Sequence, residues 1–274
     1  SQTYPEAVSR TSYARTTDGG AEWGITATPT PGKSNATSVF TTKRLDAPVV
    51  NKDACLFTSA VNVKVTIPQG ATLRYTTDGT TPTESNGMVS TNGIFNVRRT
   101  TVYRFRLFQD GYLPSRVVTR SYIYKDREFD LPIVSVVTDP VHLYDDSLGI
   151  MVKGVNGRTG NGQTTPCNWN MDWDRPVNFE YLTADGSMAV NMEAHMEMCG
   201  GWSRAWNPHS FKIKANKIYE GENYIPYQIF PNKAYMKHKT LQIRNGGNDT
   251  DCRIKDAALQ TIVHTSGLDV DGQE

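Results

Sequence analysis

The sequence predicts a multidomain chain: an all-β sandwich followed by a mixed α+β segment. Three observations predict it. Between residues 46 and 124, short alternating segments are punctuated by Asp78-Gly79, Asn86-Gly87, Asn92-Gly93 and Asp110-Gly111, the turn pairs of closely spaced antiparallel strands. At Leu131 the texture changes to a near-continuous apolar run, Leu131-Pro-Ile-Val-Ser-Val-Val-Thr138, the pattern of a strand buried on both faces. Near the end, Ile254, Ala257, Ala258, Ile262 and Val263 recur at helical spacing and Gly267 supplies a terminator.

Residues 1–40 come first. They are polar and turn-rich, and Pro29, Pro31 and Gly32 preclude a helix and weaken a central strand. Residues 15–20 read as a turn and Trp23 as an anchor. The stretch has too few apolar side chains to fold alone, so it is expected to be the tail of a β-domain and a linker.

Residues 46–125 follow, with strands at 61–67, 72–76, 101–108 and 116–124. In the third of these, Tyr103, Phe105 and Leu107 alternate with Val102, Arg104, Arg106 and Phe108, which predicts one buried and one wet face. Tyr75, Tyr103 and Tyr112 offer a carbohydrate-binding reading. Tyrosines on alternating strands more often fill a sandwich core, and that packing reading is favoured.

Residues 130–274 form the third segment. After the apolar strand, residues 139–153 read as a turn or short helical piece and a second strand. Residues 154–170 are rich in Gly and Asn and read as a mobile loop. Two strands, 175–182 and 187–198, make a hairpin closed by Asp185-Gly186. In the second, Val190, Met192, Ala194, Met196 and Met198 share one face, and Asn191, Glu193, His195 and Glu197 share the other. Then comes Gly200-Gly-Trp-Ser-Arg204, a polar turn leading into a strand where Phe211, Ile213 and Ala215 alternate with Lys212 and Lys214. Residues 240–244 make a further strand ending in Asn245-Gly-Gly-Asn-Asp249, and a helix starts near residue 250 or 251.

The Gly200 turn is the most suggestive chemistry in the chain. A hairpin of this kind brings backbone N–H groups, Ser203, Arg204 and the Lys212 ammonium to bear on one anion, as glycine-rich nucleotide loops do. No strict phosphate-loop motif is present. Glu193, His195 and Glu197 suggest a metal cluster, but a solvated polar face is the favoured reading because they form no recognised ligand pattern. Asp172, Asp174 and Glu180 suggest glycosidase carboxylates, a minor reading because spacing along a sequence cannot set two carboxyls across a bond. Trp169, Trp173, Trp202 and Trp206 suit stacking on sugar or adenine, with buried anchoring favoured for at least two. Asp139, Asp145 and Asp146 lack the EF-hand spacing.

Composition excludes some classes. Lys and Arg number 29 against 28 Asp and Glu, a formal net charge of +1, so nucleic-acid binding through a basic field is not expected. No apolar run is long enough to cross a bilayer, and residues 1–6 lack the layout of a signal peptide. Cys55, Cys167, Cys199 and Cys252 are scattered without a Cys-x-x-Cys pair, which excludes a structural zinc site but leaves disulfides and free thiols both open.

Three resemblances sharpen the expectations. Trp23 followed by Thr28-Pro-Thr-Pro-Gly32 resembles the closing segment of lamin-tail-like β-domains. Arg74-Tyr-Thr-Thr-Asp-Gly-Thr-Thr-Pro82, Thr100-Thr-Val-Tyr-Arg-Phe-Arg106 and Gly111-Tyr-Leu-Pro-Ser115 resemble the immunoglobulin-like module at the C-terminus of chitobiases and hexosaminidases, a scaffold in that family. The third resemblance is carried by five motifs in order: Leu131-Pro-Ile-Val-Ser-Val-Val-Thr-Asp-Pro140 with Leu148-Gly-Ile150, Trp173-Asp-Arg-Pro-Val-Asn-Phe-Glu180, Gly200-Gly-Trp-Ser-Arg204, His209-Ser-Phe-Lys212, and Leu241-Gln-Ile-Arg-Asn-Gly-Gly-Asn-Asp249. Together they resemble the first half of a CotH-type kinase domain, a truncated α+β atypical-kinase-like fold.

That last resemblance implies a secreted or surface bacterial protein that transfers phosphate from ATP, with Mg or Mn, to Ser or Thr of an unidentified protein substrate. It places Gly200, Gly201, Ser203 and Arg204 over the phosphates, Lys212 as the strand cation, and Arg244 at the mouth of the site. Asn248 and Asp249 belong to the adjoining loop, and Asp256 on the helix orients a cation. The catalytic and metal-binding carboxylates are expected beyond Glu274, so the chain alone is expected to be inactive. His209 stands where a basic residue is usual, and Cys199 where His is common. The alternatives are a non-catalytic surface scaffold or adhesion protein, and a carbohydrate-associated accessory protein with cell-surface or polysaccharide-associated partners.

Overall fold

A computed structural model describes residues 11–41, 43–217, 221–231, 233–247, 249 and 251–268. The chain divides into two compact units: the described residues of the first lie in 11–41, 43–138 and 178–191, and those of the second lie in 139–177, 192–217 and 221–268. Residues 178–191 thus count with the first unit, although they belong to the third segment of the sequence. Among the described residues, no helix is long and apolar enough to cross a membrane.

In the first unit, β1 (Ser12–Arg15), β2 (Trp23–Thr26) and β3 (Phe40–Thr41) form a small antiparallel sheet. The Trp23 ring stacks on Tyr13 at 5.4 Å and carries the Arg15 guanidinium at 5.0 Å. The anchor role of Trp23 is therefore local to these strands.

The sandwich is built from β4 (Cys55–Phe57), β5 (Val61–Lys64), β6 (Thr72–Thr76), β7 (Met88–Ser90), β8 (Ile94–Val97), β9 (Thr101–Phe108) and β10 (Val118–Tyr124). One sheet runs β4-β10-β9-β6-β7 and the other pairs β5 with β8. Alternation places Leu73, Phe105, Leu107 and Tyr122 of the larger sheet against Val63, Val65, Phe95 and Val97 in one core. Gly93 (φ +65°) lies in the turn from β7 to β8, where its carbonyl accepts from the Val65 amide (2.8 Å) and no side chain fits, since a Cβ there would lie 2.1 Å from the Val65 carbonyl oxygen. The sandwich is mostly antiparallel, but β10 pairs with β4 in parallel, with Tyr122 opposite Cys55.

The wet face expected along β9 is covered instead: Arg104 and Phe108 are both buried. Register sets Arg74 opposite Arg106 and Thr76 opposite Arg104, and three guanidiniums from this face draw the loop after β6 back over the sheet. Arg104 donates to the Gly79 carbonyl (2.8 Å) and Thr81 Oγ1 (3.1 Å), Arg106 to the Ser115 and Pro82 carbonyls (2.9 and 3.3 Å), and Arg74 to the Gly87 carbonyl (3.0 Å). Arg104→Met is expected to cost about 1–2 kcal/mol in urea unfolding. The two charge-assisted bonds outweigh the desolvation relieved by removing a buried charge.

β11 (Ile133–Val137) pairs antiparallel with β14 (Arg175–Leu182), and β14 turns through residues 183–187 into β15 (Met188–Met198). The turn lies on the sandwich edge, where the Leu56 amide donates to the Gly186 carbonyl at 3.1 Å. Asp185, whose carboxylate accepts from Thr183 and Ser187, is held down to about 2 by those bonds.

In the second unit, α1 (Val141–Tyr144) is a single turn, and residues 146–148 and 150–152 form turns and bends rather than the expected strand. The expected mobile loop is a hairpin of β12 (Arg158–Gly160) and β13 (Gln163–Cys167). Two wholly buried asparagines hold it. Asn168 donates to the Asp146 and Gly149 carbonyls, both at 3.0 Å, and accepts from the Asn156 amide; Asn170 donates to the Arg158 carbonyl and accepts from Asn161. The antiparallel ladder of β15, β16 (Phe211–Lys214) and β17 (Thr240–Ile243) follows, and α2 (Lys255–Thr265) is the last element, with none of its side chains buried. Val190, Met192, Ala194, Met196 and Met198 are buried as alternation requires.

Candidate functional site

The site grows from the register of β15 and β16, which sets His195 opposite Lys214 and Glu197 opposite Lys212. The Glu197 carboxylate is shared between two ammoniums: Lys212 Nζ lies 3.6 Å from one oxygen and Lys214 Nζ binds the other more closely. His195 is buried, with Nδ1 3.5 Å from Asp174 Oδ2. Burial depresses the imidazole pKa, opposed by the Asp174 carboxylate. This face is therefore not the solvated one expected from Glu193, His195 and Glu197. Among the described residues, no three of His, Cys, Asp and Glu gather closely enough to hold a metal ion.

Beyond β15 the chain turns at Gly200 (φ +97°) and makes one tight helical turn, Trp202–Ala205. Arg204 does not point out from this turn: Nε donates to the Gly200 carbonyl (2.7 Å) and Nη1 to the Trp169 carbonyl (3.0 Å). It staples the turn shut. The His209 ring lies between the Arg204 and Met151 carbonyls, at 2.7 and 3.0 Å, and leans on Trp169.

A second glycine turn packs on the first. Asn245 donates from its side chain to the Ser203 carbonyl (3.1 Å), accepts from the Gly247 amide (2.9 Å), and gives its own amide proton to the buried Ser210 hydroxyl (2.8 Å). The approach is close enough that a Cβ on Gly247 would lie 2.6 Å from Ser203 Cβ. Gly200, Gly201, Ser203, Gly246 and Gly247 thus share one patch of backbone.

Of the other residues singled out, Arg244 Nη1 lies 2.8 Å from Asp256 Oδ2 on α2. Asp249 accepts from the amides of Lys255 (2.6 Å) and Cys252 (3.3 Å), which lowers its pKa and tethers the start of α2. Asn248 lies outside the described residues. The pairing of Glu197 with two lysines and the bracing roles of Asn245 and Ser210 differ from the sequence reading, which takes Glu197 only as part of a polar face or metal cluster and gives Asn245 and Ser210 no role of their own. For Glu197 the available signal was its place on a strand leading to a lysine-bearing strand; Asn245 and Ser210 act only through contacts between distant segments.

Trp202 and Trp206 are exposed, whereas Trp169 and Trp173 are partly buried, the latter under the Arg175 guanidinium at 4.8 Å. All four cysteines are free thiols, and burial raises the pKa of Cys199. Of the three suggested carboxylates, Asp172 pairs with Arg158 (2.7 Å), Asp174 faces His195, and Glu180 is wholly buried.

Comparison with known families adds one finding. Residues 53–119 match the chitobiase/beta-hexosaminidase C-terminal domain, so the sandwich that runs from β4 into β10 is an immunoglobulin-like module of that kind. No curated protein matches the chain significantly. Within the module, Tyr75 and Tyr103 pack with Phe95 and Phe105 at 4.8–6.5 Å between ring centroids, which is the packing reading of these tyrosines.

Proposed function

We propose that the second unit is the nucleotide-binding part of a CotH-type protein kinase, a secreted or surface enzyme that passes the γ-phosphoryl group of ATP to a Ser or Thr hydroxyl of a protein. The observation that carries this reading is the packing of the Gly200 turn on the Gly247 turn, with Lys212 on β16, the strand that follows the first turn, and Arg244 just after β17, the strand that leads into the second. Glycine turns are a common way to present backbone N–H groups to a phosphate chain. Lys212 with Glu197, and Arg244 with Asp256, supply cations oriented by carboxylates, the arrangement used to position phosphates for transfer. Mg or Mn would neutralise the phosphates. The catalytic carboxylates are not assigned to any residue of this chain.

Calorimetric titration of ATP with magnesium or manganese into the 274-residue chain tests the reading. Saturable binding supports it; heats equal to dilution at millimolar nucleotide overturn it for this chain. A carbohydrate-associated role is the second reading, favoured by Trp202 (56% exposed) and Trp206 (38% exposed) on one short turn. Retention of the chain on an insoluble polysaccharide, unaffected by ATP, would favour that role.

A further inference from the structure

We propose that Glu180 is a pH-sensitive latch: protonated, it holds the hairpin of β14 and β15 against strand β10 of the sandwich, and ionised, it loosens that contact. The geometry is a buried polar seam inside the first unit. Glu180 is wholly buried on β14, opposite Ser135 of β11. Its Oε1 accepts from the Asn191 side chain (2.7 Å) and from the Ser121 amide (3.4 Å). Asn191 also donates to the Thr119 carbonyl of β10 (2.9 Å) and accepts from Asn178 (2.9 Å), while the hydroxyls of Ser121 and Ser135 lie 2.8 Å apart. Glu180 Oε2 is buried with no hydrogen-bond partner.

That oxygen makes the charge state matter. A carboxylate with one unpartnered, fully buried oxygen is unfavourable, whereas the acid removes the charge and turns the site into a donor as well as an acceptor. The groups facing Glu180 from β11, β14 and β15 are the neutral Ser135, Asn178 and Asn191. From β10 come Tyr122 and Arg120, and the Arg120 guanidinium lies 3.5 Å from Asp53. No cation is therefore dedicated to the carboxylate. Burial pushes Glu180 up to about 7, against smaller lowering by Ser121, Arg120 and Ser135.

The sign follows from the raised pKa. The seam is firmest below the carboxyl's ordinary value of 4.5, weakens as pH rises from there to about 7, and is constant above. Hydrogen exchange on the whole chain, read in peptides covering 118–124 and 178–191, tests this once intrinsic exchange rates are divided out. The opening equilibrium is expected to rise about tenfold from pH 6 to pH 8 in the unaltered chain and to stay constant in Glu180→Gln, which keeps the shape and the acceptor. Peptides from 240–247 serve as a control free of this group. An opening equilibrium that is flat in the unaltered chain overturns the latch, whether or not the variant folds. A rise that persists in Glu180→Gln also overturns it, because some other group then carries the pH dependence.

Discussion

Phe105→Ala is expected to cost about 3–5 kcal/mol of unfolding free energy, the range for removing a fully buried aromatic ring. The ring has no exposed surface and stands at the centre of the sandwich core. It stacks almost parallel on Tyr103 at 5.3 Å (5° between planes) and tilts against Phe95 at 5.2 Å and Tyr75 at 6.5 Å. Neighbours held by backbone ladders on both sides cannot collapse into the space, so a cavity remains and adds to the lost transfer free energy. A domain stable by only about 5–15 kcal/mol would lose much of its margin. Ile94→Ala, at a side chain 59% exposed on the same module, should change stability by only about 0.5 kcal/mol. Urea unfolding of both variants checks the contrast, and a Phe105→Ala cost similar to that of Ile94→Ala would contradict this account of the core.

The sandwich was legible because its signals are local. Alternation of Tyr103, Phe105 and Leu107 and the Asn92-Gly93 turn need only a few residues to act. The parallel pairing of β10 with β4 was not, since it joins residues 122 and 55 and no local pattern encodes it. Burial of Arg104 was missed for a related reason: alternation says which side chains share a face, while the loop that covers that face is drawn in by hydrogen bonds from Arg74, Arg104 and Arg106.

Residues 154–170 show a different limit. Glycine and asparagine suit both open loops and tight hairpins, because an Asn side chain can replace a missing backbone partner. Asn168 and Asn170 do this while buried, and composition alone does not distinguish the two cases. In the candidate site, the Gly200 turn and Lys212 stood out as chemistry, but the second turn at Gly247 gains its place only through Asn245 and Ser210, about 35 residues or more along the chain from their partners. Glu180 read as one of three acidic residues and became singular only when the seam around it was assembled.

Lys212→Ala is expected to weaken ATP binding between about tenfold and a hundredfold, the equivalent of one charge-assisted phosphate contact of about 1.5–3 kcal/mol. Lys214→Ala should have a smaller effect. Both ammoniums meet the Glu197 carboxylate, but Lys214 is held close while Lys212 stands off at 3.6 Å, which leaves Lys212 freer to turn toward a phosphate. Lys212 is also the nearer of the two along the chain to the Gly200 turn, two residues after the buried Ser210 that fixes Asn245. Glu197→Gln separates the roles. It frees both lysines, so it should preserve attraction for inorganic triphosphate while reducing the difference between the two alanine variants. Calorimetry with each variant, alongside circular dichroism to confirm folding, gives the decision. Equal losses at Lys212 and Lys214 would mean a diffuse basic surface, and unchanged affinity in folded Lys212→Ala would remove this strand from the site.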